Sequence, residues 1–370
     1  MQSAAAAPGG LRRRFCGVPQ RASGVIGLAL PSRVAVIGAG IAGASCSRLL
    51  TDAGHAVQLF DKSHDVGGRL ASRRIEWANA DGSVAQATLD HGAPGFTARS
   101  PEFARWVEQA RQAGWLARWS GLVAPGSHQA LDDLALWVPG PDMPSLCRRI
   151  LGKLPLQLSC TIDAVQRDGR GWRVVSEGVT FAEGFDQVVL ALPLQQAAPL
   201  LQPHRADWAQ QARALPMLPC WTLLGVAEHA DTAGWDLALP TRGPLSWIIR
   251  NEAKPGRAGA LGLAHWVAHA TADWSQVHLE ARPGDVLALL QTALAEWLRH
   301  PAVWRHALVH RWRFASVPRA NAMASGRCWW DASLGLGVCG DTLGGAGVEG
   351  AWHSARALAS FMIESAHAPS

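Results

Sequence analysis

V-A-V-I-G-A-G-I-A-G at residues 34–43, followed by V-Q-L-F-D-K at 57–62 and V-G-G-R at 66–69, is the stretch that decides the fold. Residues 34–37 are too few for a helix and rich in β-branched side chains, which suits a strand buried on both faces. Gly38 allows a tight turn, Gly40 leaves no side chain between backbone and pyrophosphate, and Gly43 lets the next helix lie close to the strand. The free N–H groups at that helix start, Ile41 and Ala42 among them, meet anions together with the positive dipole end, so no lysine is needed. A second strand at 57–60 delivers Asp61 about twenty residues on, where a carboxylate hydrogen-bonds ribose hydroxyls and repels a 2′-phosphate. Strand, glycine turn, helix, strand and acid in this order define a dinucleotide site, with NAD and FAD both open.

Beyond Asp61 and Lys62, the pair Gly67-Gly68 again brings backbone N–H groups close to an anion, and Arg69 can offer a fork of donors to a diphosphate. Ser72-Arg73-Arg74 and Leu89-Asp90-His91-Gly92 follow. Far downstream, a strand ends in Gly340-Asp341, and the run 344–350 opens a helix through Gly347, Val348, Glu349 and Ala351. This distant second grip favours FAD. A nicotinamide site is completed by nearby loops, whereas a long flavin dinucleotide is held from both ends of the chain. Asp341 would bond the ribityl or pyrophosphate region, and the helix start would turn its positive end toward the flavin's pyrimidine edge.

The 370 residues suggest two domains. The formal charge is +5, yet Arg12, Arg13, Arg14, Arg21 and Arg33 all precede the first acid, and the rest balances at 29 against 29. A neutral body gives no reason to expect nucleic acid, and the lack of a long apolar run gives none to expect a membrane span. The tail 1–32 reads as disordered, as a targeting segment or as an over-long start. Seven cysteines without metal or C-x-x-C spacing read as reduced thiols of a cytoplasmic protein, and no metal is expected. There are 18 tryptophans, three lysines and no tyrosine.

A hairpin at 160–176 around Asp168-Gly169-Arg170-Gly171 and a buried strand ending V-V-L-A-L-P return the chain to the first sheet. Val165, on that hairpin, is a further cofactor candidate. Strand-like stretches at 247–250, 261–269 and 306–314, with an amphipathic helix at 283–299, suggest a second, sheet-based domain. The expected division is an FAD domain from 33–100, 150–205 and 315–366, and a substrate domain from 101–149 and 206–314.

L-F-D-K-S-x-x-V-G-G-R at 59–69, L-D-H-G-A-x-x-F-T-A-R at 89–99, R-N-x-x-K-P-G-R at 250–257, H-A-T-x-x-W-S at 269–275, and C-G-D with G-V-E-G-A-W at 339–352 resemble bacterial renalase, within the flavin amine oxidase superfamily. The resemblance runs from Val34 to the last helix. It implies an α/β fold: a Rossmann-type, p-hydroxybenzoate-hydroxylase-like FAD domain with an inserted mixed-sheet α+β substrate domain. It also implies non-covalent FAD and oxidation of isomeric dihydro-NAD(P) to NAD(P)+, with electrons passed to molecular oxygen to give hydrogen peroxide. This chain has Pro94-Gly95 where the relatives carry a tyrosine, which bears on substrate fit.

Oxidising a dihydropyridine requires a C–H bond aimed at the flavin and no general base, and the chain offers no triad and no paired carboxylates. His269 is the substrate-side candidate, by hydrogen bond or shape, against the plain alternative of a satisfied strand histidine. Arg250 and Asn251 are candidates for the substrate wall, and Lys254 reads as a turn lysine. The rival readings are an amine oxidase, whose usual tyrosine cage is missing here, and a non-catalytic FAD-binding protein.

Overall fold

The computed structural model describes residues 31–79, 81–127, 136–228, 234–259, 262–318 and 327–366. Most of the N-terminal tail lies outside them.

Arg33–Ile37 runs between parallel neighbours Ala56–Phe60 and Gln187–Leu190, and Val34, Ala35 and Val36 have no exposed surface. It is the centre of a six-stranded sheet in the order Trp329–Asp331, Leu336–Val338, Gln187–Leu190, Arg33–Ile37, Ala56–Phe60, Leu156–Gln157. Only the first of these is antiparallel to its neighbour. One face is covered by the helices Ile41–Asp52, Ser145–Leu151 and Gly347–Ala366, which place Leu50, Leu146, Trp352 and Leu358 in a single core. The other face is covered by the three-stranded sheet Ala164–Asp168, Gly171–Ser176 and Val179–Phe185 and by helices Leu194–Leu201 and Ala206–Ala214. Burial on both faces explains why its strands read as unbroken apolar runs.

A five-stranded sheet, in the order Leu237–Ala238, Leu245–Arg250, Leu263–Ala270, Leu218–Glu228, Trp304–Ser316, is inserted between the second and third contributions to the first. Every pairing in it is antiparallel, where a mixed sheet was expected. Period-2 alternation gives it two different faces. Leu223, Ile248 and Ala268 meet the helix Pro283–Leu298 through Val286, Leu290 and Leu294. Leu224, Ile249 and Val267 face the opposite way, toward Ile75, Trp77, Ala87 and Leu89 of the hairpin Arg73–Ala78/Val84–Leu89.

The segment 101–149, expected wholly in the substrate domain, divides. Phe103 and Val107 of helix Pro101–Gln112, with Met143 and Leu146, are buried in the core of the first sheet. Trp119, Leu136 and Val138 of the pair Leu116–Trp119/Leu136–Pro139 belong to the core under the five-stranded sheet. The strong amphipathicity of that helix left its partner open, since an apolar face does not name the surface that covers it.

Candidate active site

The glycine loop is shaped by backbone contact. Gly38 has φ +105, and a Cβ there would lie 2.4 Å from the Ala191 carbonyl oxygen; one on Gly43 would lie 1.8 Å from that of Gly38. Gly40 is different, because its Cβ would meet nothing nearer than 3.8 Å. The turn at Gly67 is zipped to this loop by a Gly67 N–H bond to the Ala39 carbonyl at 2.9 Å, and Gly40 and Gly68 face each other across the junction. No side chain caps the helix Ile41–Asp52, and its first turn carries no acid, so its N-terminal donors are available to a ligand anion. Asp61 accepts from Ala39 N–H at 2.7 Å and Ser63 N–H at 2.8 Å; a carboxylate has lone pairs left after two such bonds. Lys62 beside it is exposed.

Arg69 and Asp341 were expected to grip the cofactor separately. They grip each other, the guanidinium donating to both carboxylate oxygens at 2.7 Å. Gly92 packs under Arg69, where a Cβ would sit 2.2 Å from the Arg69 carbonyl oxygen, and Gly340 N–H donates to Ser354 Oγ at 2.9 Å. Val165 is buried in the core behind the first sheet. Gly347 opens the last helix at φ +79 with free space around it, Val348 packs at the edge of the first core, and Ala351 is buried in it. Glu349 accepts from the backbone N–H of Arg99 and Ser100 at 3.0 and 2.7 Å, serving the open start of helix Pro101–Gln112. Burial alone would raise its pKa, but these donors outweigh it and hold the carboxyl below its ordinary range.

On the hairpin-facing side of the inserted sheet, register aligns Trp247, His269, Thr222 and His310 across four adjacent strands. His269 Nδ1 is 3.2 Å from Thr222 Oγ1, while its buried Nε2 has no partner. His91 closes this row from the other domain. Its ring lies edge-on to His310 at 4.7 Å and stacked on Trp312 at 5.2 Å, Trp312 Nε1 donates to its carbonyl at 3.0 Å, and its own Nδ1 is buried without a partner. Burial, helped by Lys254, pushes His269 down to about 3. Burial and the neighbouring His310 and Arg73 push His91 down to about 3, and burial with Arg73 takes His310 to about 4. All three are neutral imidazoles at pH 7.

Arg250 does not join this row. It shares the opposite, helix-covered face with Ile248, pairs in register with Trp266, and its Nε donates to Glu252 at 2.9 Å. Asn251 has no exposed surface and is a latch between the domains. Its Oδ1 accepts from Asp90 N–H at 3.0 Å and its Nδ2 donates to the Thr88 carbonyl at 3.2 Å. Lys254, read as a turn lysine, is fully buried and reaches Asp90 at 3.1 Å, as does Arg257 at 2.8 Å. Ser72 Oγ donates to the other Asp90 oxygen at 2.7 Å. Two buried cations thus share one carboxylate next to His91. The rarity of lysine in the chain was the available signal for Lys254; His310, Thr222 and Trp312 carried none, since only strand register brings them together.

Residues 135–363 match the family model for flavin containing amine oxidoreductases, and residues 36–110 match that for an NAD(P)-binding Rossmann-like domain. The first match spans more than half of the chain, which therefore belongs to the flavin containing amine oxidoreductase family. FAD is its cofactor. A bifunctional protein of Thiobacillus denitrificans for tRNA 5-methylaminomethyl-2-thiouridine biosynthesis is 30% identical over 224 residues, covering 46% of this chain and 35% of that protein. The chain thus matches about a third of that relative's length. An L-amino-acid oxidase of Demansia vestigiata is 50% identical over 46 residues, covering 12% of this chain and 9% of that one. Among solved structures, a provisionally named protoporphyrinogen oxidase of Exiguobacterium sp. 255-15 superimposes with TM-score 0.61 at 12% identity, covering 91% of this chain and 98% of that one. Cyclohexylamine oxidase of Brevibacterium oxydans gives TM-score 0.52 at 13% identity, covering 90% and 99%. At these identities the likeness is one of fold.

The residues present suit FAD. The uncapped helix start, the opening at Gly40 and the spare lone pairs of Asp61 could hold the diphosphate and ribose. The imidazoles whose buried nitrogens lack partners stand at the seam of the two domains, where a substrate can meet the cofactor.

Proposed function

We propose that this protein is an FAD-dependent oxidase of isomeric dihydro-NAD(P), returning misreduced nicotinamide to NAD(P)+. The observation that carries the reading is the electrostatic character of the chamber. His91, His269 and His310 are neutral, and Asp90, the carboxylate next to His91 among the described residues, is shared by Lys254 and Arg257. Such a site has no counter-charge for an ammonium group, whereas a neutral, electron-rich dihydropyridine and its anionic tail suit it. FAD, when bound, would supply the hydride acceptor for the dihydropyridine ring and the route for two electrons to oxygen, which gives hydrogen peroxide. Loss of that hydride leaves an aromatic pyridinium, so no side chain has to take a proton. Within the chamber His269 Nε2 offers a hydrogen bond to orient a carboxamide, Trp247 and Trp312 supply flat apolar surface, and Asn251 holds the Asp90–His91 turn in place. The open backbone at Gly40, Asp61 and the Gly67-Gly68 turn would hold the cofactor on the first sheet, on a loop shaped by Gly38 and Gly43.

The test is anaerobic bleaching of the protein-bound flavin. Rapid loss of the yellow colour with a mixture of dihydro-NAD isomers is expected. Bleaching by small amines alone would instead make the protein an amine oxidase, and bleaching by neither would make it a flavin-binding protein without this catalysis.

A further inference from the structure

We propose that Arg73 is a specificity residue that binds the phosphate of the substrate at the mouth of the histidine chamber; this rests on the dihydro-NAD(P) reading above. The hairpin strand Arg73–Ala78 alternates, and Ile75 and Trp77 point inward, only 3% and 7% exposed. Arg73 is the next position on that inward face, yet it is exposed. It stands at the exposed end of the hairpin face whose inner positions, Ile75 and Trp77, are in the apolar core under the five-stranded sheet. Its register partner is Leu89, and two residues beyond Leu89, on the same face, is the buried His91. Arg73 and His91 are therefore diagonal cross-strand neighbours, within reach of a long side chain. The positive charge of Arg73 also helps to hold both His91 and His310 below the ordinary imidazole range.

Among the described residues Arg73 has no carboxylate partner, although its neighbour Arg74 pairs with Glu76 at 2.8 Å. Asp90, which precedes His91, is occupied by Lys254 and Arg257. An unpaired guanidinium beside neutral imidazoles matches a ligand whose reacting ring is uncharged and whose tail is anionic. Phosphate oxygens are the acceptors that a guanidinium fork fits best. A dihydronicotinamide nucleotide has this polarity; a dihydronicotinamide riboside has the ring alone.

Rapid-mixing reduction of the FAD-loaded enzyme decides it, with the dihydro-NAD isomer mixture and the corresponding dihydronicotinamide riboside isomers as probes. Arg73→Ala is expected to raise the half-saturating concentration of the dinucleotide about tenfold or more and to leave its limiting rate within about twofold. Both constants for the riboside should stay unchanged. Arg73→Lys should recover part of the loss, and added salt should weaken dinucleotide binding in the wild type far more than in Arg73→Ala. Equal effects on both probes, or none on the dinucleotide, would overturn the role of Arg73 while leaving the oxidase reading intact. A wild-type flavin that neither probe bleaches overturns the oxidase reading and this inference with it. Arg73→Gln, which is shorter and uncharged but keeps a polar end, replaces the alanine variant if the latter loses FAD or unfolds.

Discussion

Arg69 and Asp341, 272 residues apart, are joined by two parallel hydrogen bonds of 2.7 Å. The turn that follows the ribose-side carboxylate is thereby tied to the turn that follows the last strand of the sheet. The cofactor cleft is complete only when the C-terminal segment has docked. Asp341 is 3% exposed, and a buried carboxylate stripped of its partner is costly. Arg69→Met should therefore destabilise the protein by about 3 kcal/mol and lower its FAD content. Urea unfolding and the ratio of flavin to protein absorbance check the two effects, and Arg69→Lys, which keeps charge but not the fork, should lie between.

Gly43 and Gly40 separate the fold from the ligand. A Cβ on Gly43 would stand 1.8 Å from the Gly38 carbonyl oxygen, while one on Gly40 meets only atoms at 3.8 Å. Gly43→Ala should yield little folded protein. Gly40→Ala should leave the melting temperature of the FAD-stripped protein nearly unchanged and weaken FAD about tenfold, or about 1.4 kcal/mol, by filling the cofactor's place.

The buried cluster of Asp90, Lys254 and Arg257 predicts an asymmetry. Lys254→Met leaves Arg257 on Asp90 and should cost little. Asp90→Asn leaves two buried cations without a counter-charge and should cost about 3–5 kcal/mol. Equal denaturation midpoints for the two variants would sink this account.

The histidines give a pH window. Burial, with Lys254 near His269 and with His310 and Arg73 near His91, holds both at about 3 in the folded chain against an ordinary 6.5. Between these values the unfolded chain binds protons that the folded one does not. Stability is thus full above pH 6.5 and falls as pH drops toward 3, by at most about 1.4 kcal/mol per pH unit for each histidine. Urea midpoints at pH 7 and pH 5 test the sign. Because burial holds His91, His269 and His310 well below the ordinary imidazole range, flavin reduction by the dihydropyridine should be flat between pH 7 and 8; an amine substrate would show a rate rising with pH.

His269 Nε2 is buried and unpartnered, so His269→Ala should lower the limiting rate of flavin reduction about tenfold or more. FAD content should stay as in the wild type. A change in FAD content with an unchanged rate per flavin would return His269 to a purely structural role.

The glycine turn and the strand that delivers Asp61 could be read from the chain because their shape depends on backbone contact and local order. A glycine required by a backbone contact, a strand buried on both faces and a helix start without a cap all leave local marks in sequence. The same locality made the doubly wound sheet legible, down to which strands read as unbroken apolar runs. What tertiary structure alone decided is who meets whom across the two sheets. Arg69 and Asp341 each suited a phosphate site, and only the fold pairs them. Arg250 and His269 were both plausible on a wall; strand register sends one to the helix-covered face and the other to the chamber. Lys254 became a buried ion because Asp90, on a distant hairpin, closes over it. Side-chain alternation along one strand is local, but register between strands, and the charge that a buried cluster finally carries, depends on contacts over long chain separations that no window of sequence contains.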